Sequence, residues 1–379
     1  MIKTNNKKAA KTLVLTVTND LVTDNRVHKV ATTLTDMGFA VTLAGRRLKN
    51  SLPLTDRNYA ARRFKLWFNK GPMFYAAYNI RLFFYLLVKK FDVVVANDLD
   101  SLPAAFLATK LTRKALVYDS HEYFTEVPEL VNRPKVKRAW EMIEKAILPR
   151  LTKAYTVCQS IADVYFQKYG TRFEVLRNLP ETTGFPELEN GFVPPFPTNL
   201  PVIIYQGAVN LGRGVEEAIL AMHQVSGARL VVVGYGDKFD ACKALIESEN
   251  LTDKVIMTGK IPFGELRKIT RFATIGLSVE KNIGLNYYFA LPNKLFDYIH
   301  SLVPVLVTRL PEMERIVATH EVGVIIEKTD QQLIANALNQ MLANTDKLKI
   351  WKENCSKARK QLNWENEKQV LYGIFTDLL

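Results

Sequence analysis

The chain has 379 residues, 48% of them apolar and 23% charged, which excludes a disordered or fibrous protein and leaves enough chain for two hydrophobic cores. Three cysteines lie far apart and no Cys/His cluster has zinc-ligand spacing, which argues against a disulfide framework or a structural metal and for a reducing cytoplasm. The net charge of +13 is lopsided: residues 1–190 hold 30 Lys and Arg against 18 Asp and Glu, and residues 191–379 hold 21 against 20, so the first half is suited to an anionic partner such as nucleic acid, phospholipid headgroups or lipid-linked phosphate.

Along the chain, short β-branched runs alternate with helical patterns. The basic N-terminus precedes an apolar run, 13–17, that is too short and strand-like for a signal peptide. Strands are expected at 12–18, 39–44, 92–97, 115–119, 153–157 and 173–176. TVTNDLVTDNRVHKV puts Asn19 and Asp20 after the first strand, with Asp24 as cap of a helix whose apolar stripe is Val27, Val30, Ala31 and Leu34. Residues 65–90 mix aromatics with flanking cations; they read as a core-facing helix or as one lying on a bilayer, and Asn79 and Arg81 keep the apolar part short of a membrane span.

VVVANDLDSLPAAF places Asp98 and Asp100 at the end of the third strand, with Asp100 or Ser101 an alternative cap for the helix containing Pro103. LVYDSHEYF places Asp119, His121 and Glu122 past the fourth, and a histidine between carboxylates at a strand's C-terminal end suits polar contact or proton transfer. Residues 184–201, with five prolines and two glycines, read as an interdomain linker.

In the second half, strands are expected at 201–207, 228–234, 254–259, 274–279, 303–308 and 322–327. YQGAVNLGRGVEEAILAM joins Gly207, Gly212, Arg213 and Gly214 to a helix marked by Val215, Ala218, Ile219 and Met222, a turn in which a diphosphate could meet amide hydrogens and a guanidinium. It is neither a Walker motif nor GxGxxG. Gly234 and Gly236 in VVVGYGD read either as a tight turn or as the lining of a base pocket. In ALPNKLFDYIHSLVPVL, Pro292 fits a first helical turn and Leu295, Ile299 and Leu302 form a buried stripe. Lys294 and Asp297 share another face, as a solvated ion pair or as ligand-binding groups. Alternating strands and helices imply two doubly wound α/β domains with parallel sheets, ligands beyond the strands' C-terminal ends, and a site in the cleft between the domains. No hydrolase signature is present.

These pieces, YDSHEYF, ANDLDSLPAA, GAVNLGRG, VVVGYGD and LPNKLFDYIHSLVPVLV, resemble in order and spacing the GT-B glycosyltransferases of family 4, over nearly the whole chain. The resemblance implies two Rossmann-like domains facing each other across a cleft: 1–183 on the acceptor side, a linker at 184–200, 201–360 for the nucleotide sugar, and 361–379 as a C-terminal helix returning to the first domain. It also implies transfer with retention and no required metal or other cofactor. Residue by residue, Asp297 would hold the ribose hydroxyls, Arg213 the donor diphosphate and His121 the transferred sugar, with Glu122 or Asp119 fixing the histidine's tautomer. Gly207, Gly234, Gly236 and Asn293 would complete the donor site, and Asn19, Asp20 and Asp98 would lie on the acceptor side.

Lys294 would neutralise diphosphate while Asp297 grips ribose. Two departures from the family pattern are visible. Phe289 stands where an acidic residue is usual, so that Glu280 or Asn286 takes over sugar contacts, and Ala208 replaces an arginine, whose charge Lys294 supplies. The expected activity is transfer of a hexose or N-acetylhexosamine from a UDP- or GDP-sugar to a glycan or lipid-linked acceptor in surface polysaccharide synthesis. The expected setting is cytoplasmic, peripheral on the inner membrane face and without nucleic acid. The rivals are a sugar-nucleotide epimerase of the same architecture and a non-catalytic partner in glycan assembly.

Overall fold

A computed structural model describes residues 10–22, 24–131, 133–185 and 191–379. The chain divides into two compact units, one ending at Arg177 and taking back Lys368–Leu379, the other Asn178–Glu367. The first carries β1 (Thr12–Asp20), β2 (Ala40–Arg47), β3 (Ala60–Lys65), β4 (Val93–Asn97), β5 (Ala115–Ser120), β6 (Ala154–Thr156) and β7 (Glu174–Val175). They form one sheet in the order β3-β2-β1-β4-β5-β6-β7, parallel at every ladder.

The second unit carries β8 (Val202–Gln206), β9 (Arg229–Val233), β10 (Val255–Gly259), β11 (Ile275–Ser278), β12 (Val305–Thr308) and β13 (Gly323–Ile326). Their order is β10-β9-β8-β11-β12-β13, again all parallel. Each sheet therefore reverses direction at one place, between β1 and β4 in the first unit and between β8 and β11 in the second. At such a reversal the following loops part and leave a crevice at the C-terminal edge.

The strands sort their side chains by the two-residue pleat. Ile203, Tyr205, Leu230 and Val232 join one core cluster of the second unit, and Val202, Ile204, Val231 and Val233 the other. A strand buried on both faces has little room for polar groups, so polar chemistry gathers at the strands' C-terminal ends and in the loops that follow.

Three features differ from the sequence expectations. Strand β3 was not foreseen; it is a cationic edge strand in which only Phe64 is buried, so it lacks the apolar run that marks a central strand. The chain leaves the first unit at Arg177, ahead of the proline-rich stretch, because Phe196 is buried in the second unit and Phe192 packs beside it. The helix Asn293–His300 starts one residue after Pro292 and is buried nearly all round, Lys294 and Asp297 included, where a single apolar stripe was expected. The last residues join the first unit, where Phe375 meets Phe39 edge-on at 6.1 Å and Lys153 donates to the Ile374 carbonyl at 2.8 Å. No helix among the described residues is long and apolar enough to cross a membrane.

Tyr298 locks the second reversal. Its hydroxyl contacts the carbonyls of Ile204 on β8 and Leu277 on β11 and accepts from the Gln206 amide. Its ring occupies the space a side chain at Gly276 would need, 2.5 Å from the Cβ position. Gly276→Ala is expected to destabilise the second unit by about 1–3 kcal/mol through overpacking, lowering its melting temperature by roughly 2–4 °C per kcal/mol. Calorimetry checks this, and an unchanged melting temperature would mean that the ring yields freely.

Candidate functional site

Polar residues gather at both sheet reversals. In the first unit, the backbone turns sharply after β4, with Asp98 in the left-handed region (φ 59°). This aims its carboxylate at the loop after β5, where Oδ1 accepts from the His121 amide at 2.8 Å and Oδ2 lies 3.2 Å from His121 Nδ1. The other ring nitrogen, Nε2, lies 3.0 Å from Asp119 Oδ2 and 3.3 Å from Asn97 Oδ1. Asp119, wholly buried, also accepts from the Arg26 guanidinium at 2.9 Å, and Arg26 donates to the Leu176 carbonyl beyond β7.

Burial works against a charged ring at His121, but the carboxylates of Asp98 and Asp119 outweigh it and lift the pKa to about 9. The same logic inverts for Asp119: burial pushes its pKa up, and Arg26 and His121 bring it below the usual value. With a carboxylate against each nitrogen, the ring carries both protons near neutrality. Asp119, one of the two residues expected to hold the ring, lies against Nε2, and Asp98 lies against Nδ1. Glu122 is exposed and lines the neighbouring cavity instead.

That cavity, of about 720 Å³, is lined by the polar group Thr18, Asn19, Asn97, Asp98, Asp100, His121 and Glu122, by Phe74, Tyr75, Phe124, Trp140 and Ile143, and by the charged Arg46, Glu129, Arg133 and Lys135. Asp100 is buried, and its Oδ2 accepts from the Thr18 hydroxyl at 2.6 Å, while Oδ1 has no partner. Burial and the adjacent Asp98 raise its pKa to about 7. Asn19 also donates to Asp24 at 3.3 Å. Asp20 is engaged away from the cavity, held by Arg63 at 2.9 Å and by the Ser51 hydroxyl.

In the second unit, Arg213 follows β8 and Glu280 follows β11, the two strands flanking the reversal. Glu280 is fully buried, 2.8 Å from Lys294 Nζ and 3.8 Å from Arg213 Nη1. Its other oxygen accepts from Ser278 at 2.9 Å. Burial pushes the Glu280 carboxyl up, but Lys294 and Arg213 hold it below the usual range. Lys294 also stands over the Tyr205 ring at 3.9 Å, and Arg213 over Tyr287 at 5.0 Å.

The solvated Lys294–Asp297 pair is therefore not what forms: the lysine's partner is Glu280. Asp297 turns to Gln206, which donates to Oδ2 at 3.3 Å, and to Arg267 at 3.8 Å. Gln206 in turn accepts from Thr270 at 2.7 Å.

The remaining donor-side residues divide. Gly234 is required by packing, since a Cβ there would stand 1.8 Å from the Gly207 carbonyl, and at Gly236 it would stand 2.1 Å from Asn210 Oδ1 and 2.3 Å from the Val209 carbonyl. Asn293 accepts from Asn178 at 3.1 Å. Asn286 sits in the four-residue helix Leu285–Tyr288, and Phe289 closes that helix. Arg26, Asn97, Gln206 and Arg267 were not singled out from the sequence, and Asp100 was read there only at a strand end or cap. Only the strand-end position of Asn97 and Gln206, each the last residue of a strand, was available as a signal.

His121 makes the first unit's stability depend on pH. Its folded pKa, about 9, lies above the ordinary 6.5, so its contribution is fully present below pH 6.5 and fades as pH rises through 9. We expect the His121 ring to titrate near 9 by NMR and to titrate lower in Asp98→Asn. Titration near 6.5 in the unmodified chain would contradict the geometry.

Comparison with known proteins follows the same division. The model for Glycosyltransferase Family 4 matches residues 24–180, and that for Glycosyl transferases group 1 matches residues 187–358. No curated protein sequence matches the chain. Among solved structures, sucrose-phosphate synthase from Thermosynechococcus elongatus superposes with a TM-score of 0.80 at 16% identity, over 97% of this chain and 99% of that one. A glycosyltransferase from Rickettsia africae ESF-5 gives 0.73 at 14%, over 98% and 99%. The Anabaena protein HepE in complex with UDP-glucose gives 0.73 at 12%, over 97% and 99%. At these identities the likeness establishes the GT-B fold.

Proposed function

Because this chain belongs to the group 1, family 4 glycosyltransferases of GT-B fold, we propose that it transfers a hexose or N-acetylhexosamine, with retention and without a metal, from a UDP- or GDP-sugar to a growing glycan or lipid-linked acceptor. Surface polysaccharide synthesis on the cytoplasmic face of a membrane is the setting that fits the basic first half. The observation that carries the reading is the Arg213–Glu280–Lys294 cluster at the sheet reversal. Two cations share one carboxylate, which leaves an excess positive charge where an anion can add.

A departing nucleoside diphosphate gains negative charge as the anomeric C–O bond breaks. Cations already fixed in place stabilise that state more than the ground state, which is the condition for catalysis. The acceptor hydroxyl forms the new bond on the face the diphosphate leaves, and its proton passes to a phosphate oxygen of the leaving group. Asp297, held by Gln206 and Arg267 on the same helix as Lys294, takes the ribose hydroxyls. His121, as an imidazolium, orients the sugar through its charge and keeps Asp98 and Asp119 ionised. The structural neighbour that holds UDP-glucose is consistent with a nucleotide-sugar donor.

A thermal-shift panel of UDP-, GDP-, ADP- and CMP-sugars tests this. A ligand at 100 times its Kd stabilises by about 2.7 kcal/mol if it binds only the folded state. One nucleotide series is expected to raise the melting temperature, and Asp297→Ala is expected to abolish that rise while leaving the unliganded protein folded. A full response in Asp297→Ala would remove the residue from the donor site.

A further inference from the structure

We infer that the acceptor is a membrane amphiphile, taken from an anionic bilayer that rests on the helix Gly71–Val88, with a hydroxylated head at Asp100 and an apolar body along the wall of the first unit's cavity. This rests on the transferase reading above and deepens it by naming the acceptor class and the surface that supplies it.

The helix Gly71–Val88 is apolar on both faces. Phe74, Tyr78, Leu82 and Leu86 are buried in the first unit, whereas Met73, Ile80, Phe84, Leu87 and Val88 are exposed, and Trp67 just before them is 98% exposed. Leu107 and Leu111 on the helix Leu102–Thr112 add to the exposed apolar surface. Contiguous apolar surface of this kind marks an interaction site.

Charge selects the partner. Across residues 60–91 and 102–114 there are ten Lys and Arg and no Asp or Glu; Arg63 and Lys114 are paired with acids elsewhere, and of the others Lys70, Lys89 and Lys90 flank the helix, Arg81 is on it, Arg62 and Lys65 are on β3, and Lys110 and Arg113 are at the end of the helix Leu102–Thr112. Cations around an apolar face with a tryptophan at its edge fit an anionic lipid surface, where the side chains enter the headgroup boundary and the cations meet phosphate.

The same helix supplies part of the cavity. Phe74 and Tyr75 line it together with Phe124, Trp140 and Ile143, a surface that suits hydrocarbon, and Arg46, Glu129, Arg133 and Lys135 line it as well. At the polar end, Asp100 is 7% exposed and one of its oxygens has no partner. A buried acceptor atom left unmatched is costly, and a hydroxyl donor removes that cost. A polar end, an apolar wall and a bilayer-binding helix that reaches both describe one molecule, a lipid with a hydroxylated head.

Two binding measurements on the full chain test this, and the inference requires both. In the first, sedimentation with vesicles compares phosphatidylcholine alone with phosphatidylcholine mixed with phosphatidylglycerol. Binding is expected only to the anionic vesicles, weakened by salt and reduced about tenfold or more by Ile80→Asp with Phe84→Asp, both on the exposed face. Absence of binding, or binding indifferent to the double substitution, overturns the inference.

In the second, octyl glucoside below its micelle concentration is compared with glucose by thermal shift. The amphiphile alone is expected to stabilise, with the effect lost in Ala139→Trp, which fills the cavity from an exposed position, and weakened in Asp100→Asn. Equal stabilisation by glucose, or an undiminished effect in Ala139→Trp, overturns it. Neither measurement contains a nucleotide sugar, so a failed donor panel and a failed acceptor inference are separately visible.

Discussion

A carboxylate sealed from water stays ionised only if cations are sealed in with it, and Glu280 imposes that condition on the second unit. Breaking one partner out of a buried pair costs about 3–5 kcal/mol, so Lys294 and Arg213 are held where Glu280 needs them. Meeting the condition draws together three segments distant in sequence: the turn after β8, the end of β11 and the helix Asn293–His300. Gly214 permits the approach, since a Cβ there would stand 2.0 Å from the Val279 carbonyl. The charge arrangement that suits a diphosphate is thus also what joins the two halves of the sheet at its reversal.

The first unit solves a similar problem with a different sum. Asp119 is fully buried and is satisfied by Arg26 and His121, while Asp98 sits on the other side of the same imidazolium. In this cluster two cations meet two carboxylates, Asp100, whose pKa is lifted to about 7, adds a partial negative charge near neutrality, and Glu122 lines the same cavity. An end with no excess cation and a spare oxygen suits an uncharged hydroxylated group, whereas the second unit's excess cation suits an anion. That difference in charge is what supports the proposed division between an acceptor side and a donor side.

Much of the framework was legible because parallel sheets write themselves plainly. Runs such as 12–18 and 228–234 are continuous, β-branched and apolar, and the loops after them held Asp98, Asp119, His121 and Arg213 in plain sight. What was hidden depends on contacts between segments far apart. Arg26 lies in an ordinary helical turn, and only the fold shows that it reaches Asp119, 93 positions away. Lys294 was read with Asp297 because they are three residues apart on one helix. A helix buried on nearly every side lets each residue choose a different neighbour, and spacing alone cannot report the choice. Strand β3 escaped because an edge strand buries too little to need an apolar pattern.

The helix Gly71–Val88 shows the opposite case, a pattern that was legible but read too simply. Its composition suits a core helix, and one face is a core face. A helix with only one buried face normally places polar residues on the other. Here the exposed side keeps Ile80, Phe84 and Leu87, with Arg81 as the one charge between them. Leaving such residues in water costs solubility without adding to the fold, since none of them packs in the core. Of the two readings of residues 65–90, the core helix holds for one face, and the exposed apolar residues of the other face are what the inferred bilayer contact is argued from.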